Sequence, residues 1–169
     1  MNSAGDPPTT HPRPRVAIFA DVQNIYYTTR DGFGRQFNYR ALWDRISATG
    51  DVTTAFAYAI DSGNAGQLKF QDALRHIGFT VKLKPYIQRA DGSAKGDWDV
   101  GITIDVLDAA EHVDRIALLS GDGDFDLLVH EIKRRFDVRV DVYGVPGLSA
   151  NSLVQAASAF HAIGEDLLL

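Results

Sequence analysis

The chain has 169 residues, 45 % of them hydrophobic and 23 % charged, as expected of one domain able to bury its own core. It has no cysteine, which excludes disulfides and thiolate metal sites, and no apolar run approaches the ~20 residues of a membrane span. A net charge of −5 is at first sight unfavourable to a polyanionic partner, so the placement of the acid has to decide.

Residues 1–14 read as a disordered tail ahead of one domain, 15–169. The start carries four of the six prolines and lacks the apolar core of a signal peptide. Cysteine-free and without a leader, the chain suits a reducing cytoplasm. Val16–Ala20 is a short apolar run of the kind found in buried parallel strands. Asn38 is placed to cap a helix through Ser47, with Leu42, Trp43 and Ile46 on one face. Val52–Ile60 is a second strand. A helix over Asn64–Ile77 turns Leu68, Leu74 and Ile77 inward and stops at Gly78. Phe79–Leu83 alternates as a third strand. Beyond the turn-rich Arg89–Gly96 comes a strong helix from about Asp97 to His112, then strand Arg115–Leu119, helix Phe125–Phe136, strand Val138–Tyr143 and a helix of small residues, Ser149 to Phe160. This alternation predicts an α/β fold, a parallel sheet of about five strands with helices on both faces. Ligands in such folds sit at the carboxyl ends of the strands.

Acid gathers at those ends. Of 22 acidic residues 19 are Asp, and helix faces usually favour Glu. The first strand ends in Phe19-Ala20-Asp21-Val22-Gln23-Asn24 and the fourth in Leu119-Ser120-Gly121-Asp122-Gly123-Asp124-Phe125-Asp126. Asp21 alone would read as a helix cap. The second segment alternates glycine with aspartate, leaving room for close backbone approach, and suits a hard cation better than a phosphate. At ~100° per residue, Ile102, Thr103, Val106, Ala110 and Val113 form the buried stripe of the Asp97–His112 helix, and Asp99 points along its middle. A carboxylate there needs a cation, a hydrogen-bond set or the helix-terminal dipole. Asp97 reads as the N-cap, Asp105 borders the stripe, and Asp108 and Glu111 face outward. Three separate segments thus each offer a carboxylate to one edge, and like charges converge at low cost only around a cation.

At these residues the sequence resembles the NYN domain family, LabA-like branch, of the PIN-like nuclease superfamily. The matching segments are Ala17-Ile18-Phe19-Ala20-Asp21-Val22-Gln23-Asn24, Lys95-Gly96-Asp97-Trp98-Asp99-Val100 and Ser120-Gly121-Asp122-Gly123-Asp124-Phe125, in the family's order, and the likeness runs from Arg15 to the C-terminus. The resemblance implies a PIN-like, Rossmannoid three-layer fold and a metal-dependent ribonuclease. Its acidic ligand positions fall on Asp21, Asp99, Asp122 and Asp124, and its polar partner positions on Asn24 and Ser120.

The chemistry so implied is hydrolysis of a phosphodiester by water activated at one or two Mg²⁺ or Mn²⁺ ions. Asn24 and Ser120 would orient water or a phosphate oxygen, and Lys95 would neutralise charge on the reacting phosphate, its alternative being a solvated loop lysine. Lys82, Lys84, Arg89 and Arg35 are candidates to guide the strand, and Tyr26, Tyr27 and Tyr86 to stack bases, although aromatic residues are more often core. The five histidines read as structural or surface, and Lys133-Arg134-Arg135 as complements to a helix C-terminus. The expected partner is nucleic acid, RNA foremost, with no membrane and a homo-oligomer left open. A phosphatase of the haloacid dehalogenase type would need a second acid where Gln23 stands. A non-catalytic RNA- or protein-binding regulator keeping the fold is the alternative of a different class.

Overall fold

The computed structural model describes residues 13–85 and 97–169, and the backbone alone at 87–88 and 94–95. Strand β1 (Arg15–Asp21) is followed by helices α1 (Val22–Phe33) and α2 (Tyr39–Ser47), then β2 (Asp51–Asp61), α3 (Ala65–Ile77) and β3 (Thr80–Pro85). A small antiparallel pair, β4 (Ile87–Gln88) with β5 (Ala94–Lys95), precedes α4 (Asp99–Ala110). The second half runs β6 (Arg115–Leu119), a 3₁₀ turn (Gly123–Phe125), α5 (Asp126–Arg135), β7 (Arg139–Gly144), α6 (Asn151–Ala156) and β8 (Ala159–Ala162).

The main sheet has six parallel strands in the order β3-β2-β1-β6-β7-β8, one more than the pattern predicts. The added strand is β8. The small-residue segment after Ser149 divides into a short helix and a strand, because Ser158 turns back and its amide bonds the Val140 carbonyl at 2.8 Å. Helix α1 and the β4/β5 pair are also elements the apolar pattern does not announce; α1 buries only Val22, Ile25 and Thr29.

Side-chain alternation along β1 divides the core. Val16, Ile18 and Ala20 face a cluster with Leu42, Ile46 and Leu74, under α2 and α3. Ala17 and Phe19 face a cluster with Ile102, Val106, Val129 and Leu153, under α4, α5 and α6. The predicted α4 stripe is observed: Ile102, Val106, Ala110 and Val113 are buried, and Thr103 is half-buried at its edge. Helix α3 is rotated from expectation. Leu68 is 53 % exposed, and Gln71 at 2 % takes the inward place instead. Residues 67, 70, 71, 74 and 77 share the inward arc at helical spacing, which leaves Leu68 beside it.

The caps follow the sequence. Asn38 accepts from the Ala41 amide at 3.0 Å and Asn64 from Gln67 at 2.8 Å. Gly78, at φ 135°, ends α3 where a Cβ would stand 2.6 Å from the Trp43 ring. Of the expected tail, residues 1–12 lie outside the described residues. Pro14 is already tied down, its carbonyl accepting from the Asp51 amide at 2.8 Å, and Arg13 donates to the Gly50 carbonyl at 2.9 Å.

The chain lays β2 and β3 to one side of β1, then returns through α4 to lay β6, β7 and β8 on the other. The β1/β6 junction is therefore the switch point of the sheet, where connections leave in opposite directions and open a crevice at the carboxyl ends.

Candidate metal centre

Asp21 closes β1 at that crevice and is 9 % exposed. Sharing parity with Ala17 and Phe19, it falls on the α4 side of the sheet. Ser120 follows β6 with the parity of Ile116 and Leu118, so it meets Asp21 on the same side. The wholly buried Ser120 hydroxyl donates to Asp21 Oδ2 at 3.1 Å and accepts from the Asp122 amide at 3.1 Å. Asn24 Oδ1 accepts from the Gly121 amide at 2.8 Å, fastening the first turn of α1 to the loop after β6.

Glycine is needed at 121 for close approach, as the sequence suggests, but the approaching group is the protein's own backbone. A Cβ there would lie 2.8 Å from the Leu148 carbonyl oxygen. The Ala150 amide donates to the Gly121 carbonyl at 2.9 Å, so the loop before α6 braces the acidic segment from behind.

Asp99 arrives from the opposite side, in the first turn of α4. Its backbone is set by the two residues before it. The N-cap of α4 is Trp98 rather than the expected Asp97, which stands one residue earlier; Asp97 Oδ1 still accepts from the Asp99 amide at 3.1 Å. Trp98 anchors the turn: its indole donates to the Ala59 carbonyl at 2.9 Å, and its ring lies 5.3 Å from that of Tyr58. A Cβ at Gly101 would sit 2.7 Å from the Trp98 ring, so the Trp-x-x-Gly spacing at the helix start was the available signal.

Asp21, Asp99 and Asp122 each contribute one carboxylate oxygen to a group whose atoms lie within 4.8 Å of one another. Burial pushes the Asp21 carboxyl up to about 6, against the hydrogen bonds from Ser120 and the Asn24 amide, and the charges of Asp122 and Asp97 add to the rise. Asp99 is pushed up to about 7, by desolvation first and then by the charges of Asp122, Asp97 and Asp21. Among the described residues none of the three forms an ion pair. Hard oxygen donors, unneutralised charge and spacing close to that of opposed ligands on a small divalent cation, ~4–5 Å, make this donor set fit Mg²⁺ or Mn²⁺.

Asp124 stands outside the group. Its amide donates to Asp122 Oδ1 at 2.9 Å, and the 3₁₀ turn so capped carries its side chain out to solvent. The Lys95 side chain, Arg89 and Tyr86 fall outside the described residues. Other expected strand guides are engaged within the fold. Lys82 pairs with Asp105 at 2.6 Å, and Arg35 pairs with Glu165 and donates to the Leu169 carbonyl at 2.8 Å. Lys84 donates to the Asp97 carbonyl at 2.9 Å with its ammonium 4.5 Å from the Trp98 ring centre. Tyr26 and Tyr27 are not core; both are exposed.

Comparison with known proteins gives the family and the fold. The model of the NYN domain family matches residues 15–164. The Low amplitude and bright protein LabA of Synechococcus elongatus is 30 % identical over 157 residues, 86 % of this chain and 82 % of that protein. A crystal structure of a protein of unknown function from Vibrio parahaemolyticus superposes with a TM-score of 0.90 at 49 % identity, covering 95 % of this chain and 99 % of that one.

Proposed function

Since the chain belongs to the NYN domain family, a group of PIN-like, nuclease-type domains, we propose that it is a divalent-metal-dependent phosphodiester hydrolase acting on RNA. The observation that carries this reading is the convergence of Asp21, Asp99 and Asp122, from three separate segments, with no cation of the described residues paired to them. Those three carboxylates would hold Mg²⁺ or Mn²⁺, and Asp124 at the rim would serve a second ion or the water shell of the first. When bound, the cation supplies Lewis acidity toward a phosphate oxygen and lowers the pKa of water.

The remaining work belongs to the chain. Ser120 fixes the rotamer of Asp21 by its hydroxyl and the position of Asp122 through the backbone amide. Asn24 is a positioning residue: with its Oδ1 committed to Gly121, only its amide nitrogen is left to meet a phosphate oxygen. Asp97 and Trp98 hold the start of α4, so that Asp99 projects into the crevice rather than into solvent. An acidic crevice of this kind attracts a polyanion only after cations have reversed its charge, which reconciles the net charge with a nucleic-acid substrate.

The test is incubation with single-stranded and structured RNA and DNA in Mn²⁺, Mg²⁺ or chelator, using wild type and Asp99→Asn. Cleavage of RNA that needs the cation and vanishes in Asp99→Asn supports the reading. Binding without cleavage under every condition would make the domain a non-catalytic binder, and cleavage of DNA alone would move the substrate.

A further inference from the structure

Beside the acidic crevice lies a groove of about 630 Å³ between α1, the start of α2 and α3, within the ~300–1,000 Å³ span of small-ligand sites. It begins where the metal centre ends, since Val22 and Gln23, the residues directly after Asp21, line it. Its chemistry contrasts with that of its neighbour. Among the described residues no Asp or Glu side chain lines it, and its one charged side chain is Arg40. Aromatic rings and amides make up much of the rest.

Two side chains in its wall are unexplained by the fold. Gln71 is 2 % exposed and Tyr39 is 6 % exposed, and both line the groove. Neither the Gln71 amide nor the Tyr39 hydroxyl has a hydrogen-bond partner among the described residues. Buried polar groups are nearly always paired, and an unmade bond costs the whole desolvation of the group. The other lining amides differ: Asn38, Asn64 and Gln67 are spent on helix caps and the adjoining loop, and Gln23 and Gln36 are exposed to water. Burial, and then the charge of Asp21, push the Tyr39 phenol up, so this hydroxyl stays protonated and remains a donor. At the mouth stand the exposed Tyr26 and Tyr27, rings 5.4 Å apart, with the Arg30 guanidinium 4.8 Å from the Tyr27 ring.

We propose that this groove is a nucleobase subsite for the strand cut at the acidic cluster, with Gln71 and Tyr39 as its specificity-determining residues. The inference rests on the nuclease reading for its strand. A base is flat, uncharged and edged with donors and acceptors. It stacks on aromatic faces and is read along its edge by an amide that gives and accepts at once. An apolar peptide would leave both buried polar groups unpaired. A phosphate would meet one charged side chain, Arg40, and, having no donor to offer, would leave the buried Gln71 carbonyl unpaired. The groove opens on the α2/α3 side of the sheet and Asp21 on the α4 side, so the strand would cross the sheet edge at Val22 and Gln23, with Tyr26 or Tyr27 stacking a neighbouring base.

Two measurements separate the groove from the metal centre. Titration of wild type, Gln71→Leu and Tyr39→Phe with the four nucleoside 5′-monophosphates in chelator reads the groove alone. Wild type should bind one base at least about tenfold more tightly than the weakest. Gln71→Leu, which keeps bulk and removes the amide, should bring all four within about twofold while its melting temperature holds or rises. Tyr39→Phe should do the same in part. Equal binding of all four bases by wild type, no binding, or a preference that survives both substitutions overturns the subsite. Cleavage of RNA in Mn²⁺ reads the other site. Base selectivity without cleavage leaves the groove standing and removes the nuclease reading. Cleavage indifferent to base and to Gln71→Leu does the reverse.

Discussion

Asp21 and Asp141 are both nearly buried acids on one sheet, 9 % and 8 % exposed, and the protein treats them in opposite ways. Asp141, on β7, receives Arg139 Nε at 2.9 and 3.1 Å on its two oxygens. It also meets His161 Nε2 at 3.1 Å, and that ring stacks on Tyr143 with centroids 4.5 Å apart. Asp105 is handled in the same manner, by Lys82 at 2.6 Å and the Tyr58 hydroxyl at 2.7 Å. Asp21 receives a serine hydroxyl, a distant amide and two more carboxylates. A buried carboxylate supplied with a cation from within asks for nothing further. One surrounded by its own kind is stable only when the cation comes from outside. Burial and residue type are the same in the two places; the sign of the neighbours separates a strut from a site.

The largest expected effect tests the site. Asp99→Asn or Asp122→Asn should lower Mn²⁺-dependent RNA cleavage by at least ~100-fold, since even outer-shell changes around metals cost 10–100-fold. Asp141→Asn should leave the rate within about twofold. Initial rates on one oligonucleotide decide it, and equal losses at Asp99 and Asp141 would erase the distinction.

Stability should show the reverse ranking. Asp141→Asn strips the charge that holds Arg139 and His161, and should cost about 1–2 kcal/mol; a fully buried pair would cost more, but Arg139 is half exposed. Denaturant melts with and without Mn²⁺ should give the same loss. A loss that disappears with metal would tie Asp141 to the metal centre after all.

The pH dependence sharpens the comparison further. Asp21 and Asp99 titrate in the folded protein at about 6 and about 7, above the ~3.9 of an ordinary aspartate. The folded state therefore keeps protons that the unfolded chain has released. The stability this gives is complete below pH ~4 and is lost as pH rises through 6 to 7. In chelator the melting temperature should fall between pH 5 and 8. The change is of the order of 1 kcal/mol, or ~2–4 °C, allowing for solvent screening at half-buried Asp99. Mn²⁺ should flatten the profile by replacing the lost protons. A profile that rises over this window in chelator would mean the cluster is already compensated.

Much of this was legible in the chain. The sheet, its parallel sense and the strand ends that carry acid follow from apolar runs and their spacing, and Asp99 declared itself by standing in the middle of a buried stripe. What escaped was set by tertiary contact. Nothing local turns α3 to bury Gln71 and expose Leu68; packing against α2 and β3 does. Asp124 shares its motif with Asp122, yet one residue of 3₁₀ turn sends it outward. Six strands instead of about five depended on a single turn at Ser158.

The smallest effect is the most diagnostic, because its sign is unusual. Without metal, the Asp99 carboxylate is held against Asp21, Asp97 and Asp122, and the unfolded chain relieves that repulsion. Asp99→Asn keeps the shape and removes one charge, so in chelator at neutral pH it should be as stable as wild type or more so, by up to ~1 kcal/mol. Asp141→Asn, the same substitution at a more deeply buried carboxylate, goes the other way. On adding Mn²⁺, wild type should gain stability in proportion to the logarithm of concentration, and Asp99→Asn should gain much less. The competing account gives Asp99 only a helix-terminal role: a first-turn carboxylate that favours α4 through its dipole. On that account Asn destabilises slightly and the Mn²⁺ response stays whole. Melting curves of both proteins across one Mn²⁺ titration separate the two, and an undiminished response in Asp99→Asn takes Asp99 out of the metal centre.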